Sequence, residues 1–372
     1  MRFKISKRRF YQALSTAARA ISANSPIPAL SGILIEANFD SISLTASDAD
    51  ISIRLKINQS EDKDFEIFDP GSIVIEAKYI LEIVRKIDAQ EIEVDNVDGS
   101  LTLFKGNASE FKINGTKSSD YPDIDFSKPE SSFTLASDLF LKMVVQTTFA
   151  TSDRETRPVL NGVNMRNENG VLECVATDSF RLAKKNLPCS FDGSFNITIP
   201  AKSLNEIAKT VDKVNEVEIA VNDKKAQFLL GDTLIQTRLI DGVYPETSRL
   251  LPAEYTNEIE MDSRDLLNAI DRASFIKSDG ISIIRLQISG QQMIISSKSQ
   301  EVGSSKEELS NFTYRGEAME ISFSGHYVYE AIRALESAQI LIKFSGEMRP
   351  FVIFSKEDDS VLQLVLPVRT YN

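Results

Sequence analysis

Two cysteines and one histidine are all that the 372 residues hold of the side chains most often used as metal ligands or soft nucleophiles. Cys174 and Cys189 form no CxxC pair. A disulfide framework and a cysteine metal site are therefore not expected, and a reducing cytoplasm is. His326 has no histidine partner and, at the start of a helical segment, reads as a surface or capping residue. No apolar run approaches the roughly 18 residues of a membrane helix. The opening "MRFKISKRRF" passes straight into amphipathic sequence, without the apolar stretch of a signal peptide. No GxxxxGK(S/T), no strand-following GxGxxG and no GxSxG elbow is found. The chain thus reads as a non-enzyme without cofactor or metal. Net positive charge is also lacking: 54 acidic residues outnumber 42 basic ones, and the formal charge of −12 speaks, taken whole, against a nucleic-acid partner.

What is present is repetition, in a chain whose 42% hydrophobic and 26% charged content is that of a soluble globular protein. "IEAKYILEIVRKI" at 75–87 returns as "IPAKSLNEIAKTV" at 199–211 and "FSGHYVYEAIRAL" at 323–335. Ala77, Ala201 and Gly325 stand 124 positions apart, as do Glu82, Glu206 and Glu330, and 372 is three times 124. Each copy follows a strand-like run and continues with apolar residues at helical spacing. These are Ile80, Ile83, Val84 and Ile87, then Leu204, Ile207, Ala208 and Val211, then Val328, Ala331, Ile332 and Leu335. A second helical phrase precedes it in each third, after Ser6, after Ser137 and near Asp262 and Ser263. Ser or Asp there is an N-cap signal. Alternating runs such as "GSLTLFKG", "AQFLLGDTLIQTRL" and "IIRLQISGQQMIISS" read as hairpin strands. Tyr121-Pro122-Asp123 and Tyr244-Pro245-Glu246 mark linkers. The reading is an α+β chain of three repeated domains, 1–125, 126–252 and 253–372, each with two short helices on antiparallel strands.

The helices carry the basic charge. Residues 7–20 hold four basic side chains and no acidic one, and residues 77–87 hold three against one. The six helical segments, 7–20, 77–87, 136–149, 201–213, 262–277 and 325–336, come to +6, which leaves −18 for the rest. A surface lined by these helices could hold phosphates without reading bases. Asp48 and Asp50 in "TASDAD" resemble a metal carboxylate pair, but Ser47-Asp48 matches Thr177-Asp178 in "VATDSF", and a repeated turn aspartate accounts for both.

"VATDSFRLA" (175–183), "DGVYPETSRLLP" (241–252) and "LVLPVRTYN" (364–372) closely resemble the bacterial DNA polymerase III beta subunits, the sliding-clamp family, and the resemblance spans the whole chain. It implies a DNA-clamp fold and a head-to-tail homodimer whose ring encircles duplex DNA without sequence specificity. It implies a processivity factor that tethers the replicative polymerase alpha subunit, the clamp-loader delta subunit and other proteins with a clamp-binding motif, with no membrane partner. By that resemblance Lys78, Arg154 and Lys202 face DNA, and Arg8 and Arg85 lie on the same basic helices. Asn24 replaces a family arginine, which puts that contact in doubt. Phe111 and Ile113 match one side of the subunit interface, Phe275 and Ile276 the other.

The resemblance also implies a peptide pocket. Leu160, Thr177, Ser179, Phe180, Arg181 and Leu182 match its first part, and Pro245, Arg249 and Leu250 come from the linker. Ile281, Ser324, Tyr327, Met348, Pro350, Leu364, Leu366, Pro367, Val368 and Arg369 complete it. Leu182, Leu250, Leu366 and Val368 are expected as its apolar floor, and Arg181 and Arg249 as groups that orient polar parts of the peptide. Phe180, Ser324 and Met348 depart from family habit, so motif preference is expected to shift.

Overall fold

Six times the chain runs from a strand directly into a helix. The strands are Arg2–Ser6, Gly71–Glu76, Ser131–Ala136, Phe195–Pro200, Asn257–Asp262 and Met319–Ser324. The helices that follow them are α1 (Lys7–Ala17), α2 (Ala77–Lys86), α3 (Ser137–Thr147), α4 (Ala201–Ala208), α5 (Ser263–Ser274) and α6 (Gly325–Leu335). The computed structural model describes residues 1–22, 25, 27–61, 65–154, 156–211, 214–277 and 280–369. Asn24, Asp212, Lys213 and the last three residues of the terminal phrase lie outside them. No helix among the described residues is long and apolar enough to cross a membrane.

The period changes from two to 3.6 at each strand–helix join, and the apolar positions follow it inward. Ile80, Ile83, Val84 and Ile87 are all buried, as are Leu204, Ile207, Val328, Ala331, Ile332 and Leu335. Capping differs from the expectation. Ser6 makes no side-chain cap bond, and Ser137 lies inside α3 with a buried hydroxyl that finds no partner among the described residues. The first helical amide is taken by a neighbouring backbone carbonyl instead: Lys7 N on Gln90 O at 2.8 Å, Ser137 N on Asn215 O at 2.9 Å and Ser263 N on Ala338 O at 2.9 Å. In α1 and α3 this backbone acceptor serves the first orphan amide without help from a side-chain cap, whereas α5 has both. Asp262 does cap α5, accepting from Arg264 N at 2.8 Å, and Ser324 caps α6 through Tyr327 N at 3.5 Å.

The chain divides into two compact units, 1–137 with 205–239, and 138–204 with 240–372. The first holds an eight-stranded antiparallel sheet. In it Ile51–Asn58 of the first third pairs with Thr233–Arg238 of the central third, in the register Ile51↔Thr237, Ile53↔Ile235 and Leu55↔Thr233. A five-stranded sheet completes this unit and ends at strand Ser109–Asn114. Phe3 packs edge-on against Phe10 of α1 at 5.8 Å, beneath the α1–α2 pair. The second unit repeats the plan with nine strands, joining Arg181–Pro188 to Val361–Val365 in the register Arg181↔Val365, Ala183↔Gln363 and Lys185↔Val361. A four-stranded sheet and the α5–α6 pair enclose its core. Each unit thus carries one third's sheet into the next without a break.

One ion pair clamps the second junction. Lys185 is 2% exposed, and its ammonium meets Asp358 Oδ2 and Ser360 Oγ, each at 2.6 Å. Burial opposes ionisation of Asp358, but the hydrogen bonds from Lys185 and Ser360 outweigh it and hold the carboxyl below the usual range. A depressed folded-state pKa gives stability that is present above the unfolded value, near 4, and is lost as pH falls through the folded one. Asp358→Ala is expected to destabilise the protein by about 3–5 kcal/mol, because it strands a buried ammonium. Equilibrium denaturation at pH 7 measures this, and the difference from wild type should shrink below about pH 4.

Candidate partner-binding and DNA-facing sites

A turn repeated in both units opens each site. Asp178 Oδ1 accepts from Phe180 N at 2.9 Å and Arg181 N at 3.0 Å, and Thr177 Oγ1 accepts from Ser179 N at 3.1 Å. Asp48 Oδ1 accepts likewise from Asp50 N at 3.1 Å and Ile51 N at 2.9 Å, and Ser47 Oγ from Ala49 N at 3.0 Å. Ser179 and Ala49 both take the left-handed conformation, φ 78° and 80°. The aspartates are turn formers in both copies. Among the described residues no three His, Cys, Asp or Glu side chains are grouped to hold a metal.

The turn fixes the linker. Thr177 N donates to Tyr244 Oη at 3.0 Å, and burial raises the Tyr244 phenol well above its ordinary range. Beside this bond lies an apolar floor of buried Val175, Leu182, Val352 and Leu364, edged by Tyr244, Leu251, Phe354, Leu362 and Leu366. Leu250, expected on the floor, is exposed at the rim, and Leu251 takes its place. The 3₁₀ turn Ser248–Leu250, closed by Leu250 N on Thr247 O at 3.0 Å, rotates successive side chains apart. Leu160 and Ser324 are buried, whereas Phe180, Ile281 and Met348 are exposed. Tyr327, Pro350, Pro367 and Val368 are half-buried, and Ser179, Pro245, Arg249 and Arg369 are exposed. The chain end is stitched in place by Leu366 N on Phe180 O at 2.9 Å and Val368 N on Ser322 O at 2.7 Å. A cleft of about 420 Å³ opens against Leu182 and Leu251, rimmed by Arg166, Glu173, Lys184 and Glu246.

Arg181 does not present its charge to solvent. It is 8% exposed, with Nε on Asp178 Oδ2 at 3.0 Å and Nη1 on Glu330. Its guanidinium lies over the Tyr327 ring at 4.6 Å and the Phe149 ring at 5.2 Å. Tyr327 stacks on Phe180 at 6.3 Å. Sequence reading missed Val175, Val352, Leu251 and Glu330. Val352 carried no separable signal, because its strand alternates as any core strand does. Tyr244 was visible in the repeated Tyr-Pro phrase but was read as linker.

The first unit holds the equivalent cleft, of about 450 Å³, lined by Leu30, Ser47, Ala49, Pro122, Gln236 and Arg238 among others. The two registers align it with the second, position for position. Ser52, Gln236 and Arg238 stand where the second unit has Leu182, Leu364 and Leu366. Its floor is polar.

Arg8, Lys78, Arg85 and Lys202 sit on helix starts and faces, whereas Arg154 lies on the loop that follows the 3₁₀ turn Thr148–Ala150. Arg8 is exposed and borders a cleft of about 630 Å³ with Lys7, Tyr11 and Arg85. Lys78, in the first turn of α2, bonds Glu76 at 2.6 Å, which raises its pKa. Arg85 and Lys86 each reach Glu82 at 2.8 Å and hold that carboxyl down to about 2. Lys202 is exposed at the start of α4. Arg154 is exposed too, and its guanidinium stands 5.9 Å over the Phe180 ring, which places it at the pocket rim.

Of the four residues expected at a subunit interface, Phe111 lies on the terminal strand of the five-stranded sheet, with Ile113 beside it, half-buried. Phe275 caps α5 and is 70% exposed. Ile276 departs from the expectation at 4% exposure. The chain turns back there, with Ile276 N on Ala273 O at 3.4 Å, and folds the side chain into its own unit.

Three family models match the chain: the DNA polymerase III beta subunit N-terminal domain over residues 1–125, the central domain over 134–246 and the C-terminal domain over 248–369. The beta sliding clamp of Bacillus subtilis (strain 168) is 39% identical over the full length of both chains, and that of Staphylococcus aureus (strain N315) is 33% identical, again over the full length of both. The crystal structure of the Bacillus subtilis DNA polymerase sliding clamp covers all of this chain and all of its own, with a TM-score of 0.95 at 37% identity. The beta subunit from the DNA polymerase of Streptococcus pyogenes covers both chains fully as well, with a TM-score of 0.95 at 30% identity. The chain belongs to the DNA polymerase III beta subunit family, the beta sliding clamps, which are non-catalytic processivity factors of DNA replication.

Proposed function

We propose that two copies of this chain close head to tail around duplex DNA in the cytoplasm, and that the ring carries replication proteins through the pocket beside Leu182 and Leu364. We read the domains as 1–125, 126–252 and 253–372. The observation that carries the reading is the sixfold strand-into-helix unit, with one sheet continued through each junction. A heterologous interface that closes makes a ring rather than a filament. Topological enclosure needs only weak phosphate contact, which mildly basic helices on an acidic body supply. The DNA-facing set is Lys78, Lys202, Arg8 and Arg85, together with Arg154, whose place by Phe180 would bring DNA and pocket close together. Asn24 lies outside the described residues and carries no part of this reading.

The pocket is read as the receptor for short motifs of the polymerase alpha subunit, the clamp-loader delta subunit and other clamp-binding proteins. Its support is the apolar floor next to a stitched chain end, a setting suited to an extended peptide with two apolar anchors. Two buried anchors contribute roughly 3–6 kcal/mol by area. With main-chain bonds added and peptide ordering subtracted, affinity falls near micromolar, about −8 kcal/mol. Partners that must exchange need that weakness.

At the subunit interface, Phe111, Ile113 and Phe275 contribute exposed or half-exposed apolar surface, worth roughly 1.5–3 kcal/mol for each side chain fully buried. Phe275→Asp is expected to give monomers in sedimentation at micromolar concentration, and an unchanged dimer mass would reject this interface.

On DNA, the protein should stay on a closed circle after loading and leave once the circle is cut. Its binding should be independent of sequence. Lys78→Ala, Lys202→Ala and Arg8→Ala each take one cation away from the phosphates, and each should lower the log–log salt slope by about 0.9. Strong preference for one base sequence that survives high salt is the contrary result.

For the pocket, deletion of residues 366–372 removes Leu366 from the floor and both stitching bonds. Calorimetry should then detect no peptide binding, while the dimer and its retention on circular DNA persist. Unchanged peptide affinity in the truncated protein rejects the pocket.

A further inference from the structure

The glutamate that recurs in every third meets three different surroundings. Glu82 faces Arg85 and Lys86 on an exposed helix surface. Glu206 pairs with Lys209 at 2.7 Å and Arg19 at 3.3 Å. Glu330 turns instead toward a buried cation. Its Oε2 receives Arg181 Nη1 and also stands 3.1 Å from His326 Nε2. Arg181 is held from the opposite side by Asp178 Oδ2, so two carboxylates grip one guanidinium that is 8% exposed. The gripped group lies over the Tyr327 ring at 4.6 Å, and Tyr327 in turn stacks on Phe180 with 22° between the rings. Phe180 is the exposed end of this series and Arg154 lies over it.

The series therefore runs Glu330, Arg181, Tyr327, Phe180. A buried guanidinium with one of its two carboxylates removed is under-compensated and seeks water. Leaving the Tyr327 face would free that ring and the Phe180 ring stacked on it. The energetics of cation–ring interaction are largest where the cation is desolvated, as it is here.

We propose that Glu330 is a positioning residue of the peptide pocket: it holds Arg181 against Tyr327 and thereby fixes the Phe180–Tyr327 wall that an incoming peptide closes on. The proposal rests on reading this pocket as the peptide site. The role belongs to the third copy alone, since Glu82 and Glu206 meet side chains that are far more exposed than Arg181. His326 Nε2, on an exposed side chain, stands 3.1 Å from the same oxygen.

The test is calorimetry with a synthetic hexapeptide ending in Leu-Phe, on the full-length dimer. Glu330→Ala should raise Kd by about tenfold or more, as expected when a buried group is deprived of one charged hydrogen bond. Glu82→Ala and Glu206→Ala should leave Kd unchanged. A merely structural effect is separated by a double-mutant cycle with Tyr327→Ala. If Glu330 acts through the ring, its removal in the Tyr327→Ala background costs less than about twofold. Glu330→Gln, which keeps the shape without the charge, reports the same cycle should the alanine variant fold poorly. An unchanged Kd in Glu330→Ala, or a full and independent weakening in the Tyr327→Ala background, overturns the proposal. A wild-type protein that does not bind the hexapeptide overturns the pocket reading itself, a result that is distinct because it precedes any substitution.

Discussion

Antiparallel pairing of Arg181–Lys185 with Val361–Val365 brings into one place residues separated by about half the chain. The turn at Asp178, the floor residues Leu182 and Leu364 and the chain end at Leu366 all hang on that ladder. Each ladder hydrogen bond contributes about 1 kcal/mol net, and the buried Lys185–Asp358 pair fixes its register at the far end. A slip of one residue would turn Leu182 and Leu364 to the opposite face and abolish the floor. The same ladder between Ile51–Leu55 and Thr233–Thr237 organises the first unit. Sheet continuity is the element the triplication reuses, and the helices are mounted on it.

Charge is handled locally rather than by a uniform field. Several basic side chains on or beside the helices have an acidic partner, Arg85 and Lys86 within their own helix on Glu82, and Lys78, Arg19 and Arg272 on Glu76, Glu206 and Glu307 of other elements. Exposed pairs of this kind contribute little to stability. They do lower the net field that a helix presents, which suits the weak phosphate contact of the proposed function. The strongly held charges, Arg181 and Lys185, are the buried ones, and both serve architecture.

Much of the fold was legible because it was written several times over. The 124-residue spacing, the switch from alternation to helical period and the Tyr-Pro phrases each recurred, so no single instance had to be trusted. Helix capping was less legible. A serine before a helical run signals a cap, but whether a backbone carbonyl already occupies the first amide depends on partners far along the chain, such as Gln90 for Lys7. The turn at Asp178 was legible because its phrase repeats at Asp48, whereas the peptide pocket was supplied by resemblance alone. The contribution of Leu251 over Leu250 turned on the rotation of one 3₁₀ turn, which composition does not encode. The burial of Ile276 followed in the same way from a backbone reversal after α5. The inward orientation of Glu330 was hidden by repetition itself, since three identical letters suggested three identical roles.

The difference between the two clefts bears on stoichiometry under the proposed function. Each chain holds two clefts of one design, and Ser52, Gln236 and Arg238 stand in the first where Leu182, Leu364 and Leu366 stand in the second. If motifs with two apolar anchors require that leucine set, a two-chain ring would have a valence of two for them rather than four, and the proteins that carry them would compete for a scarce seat.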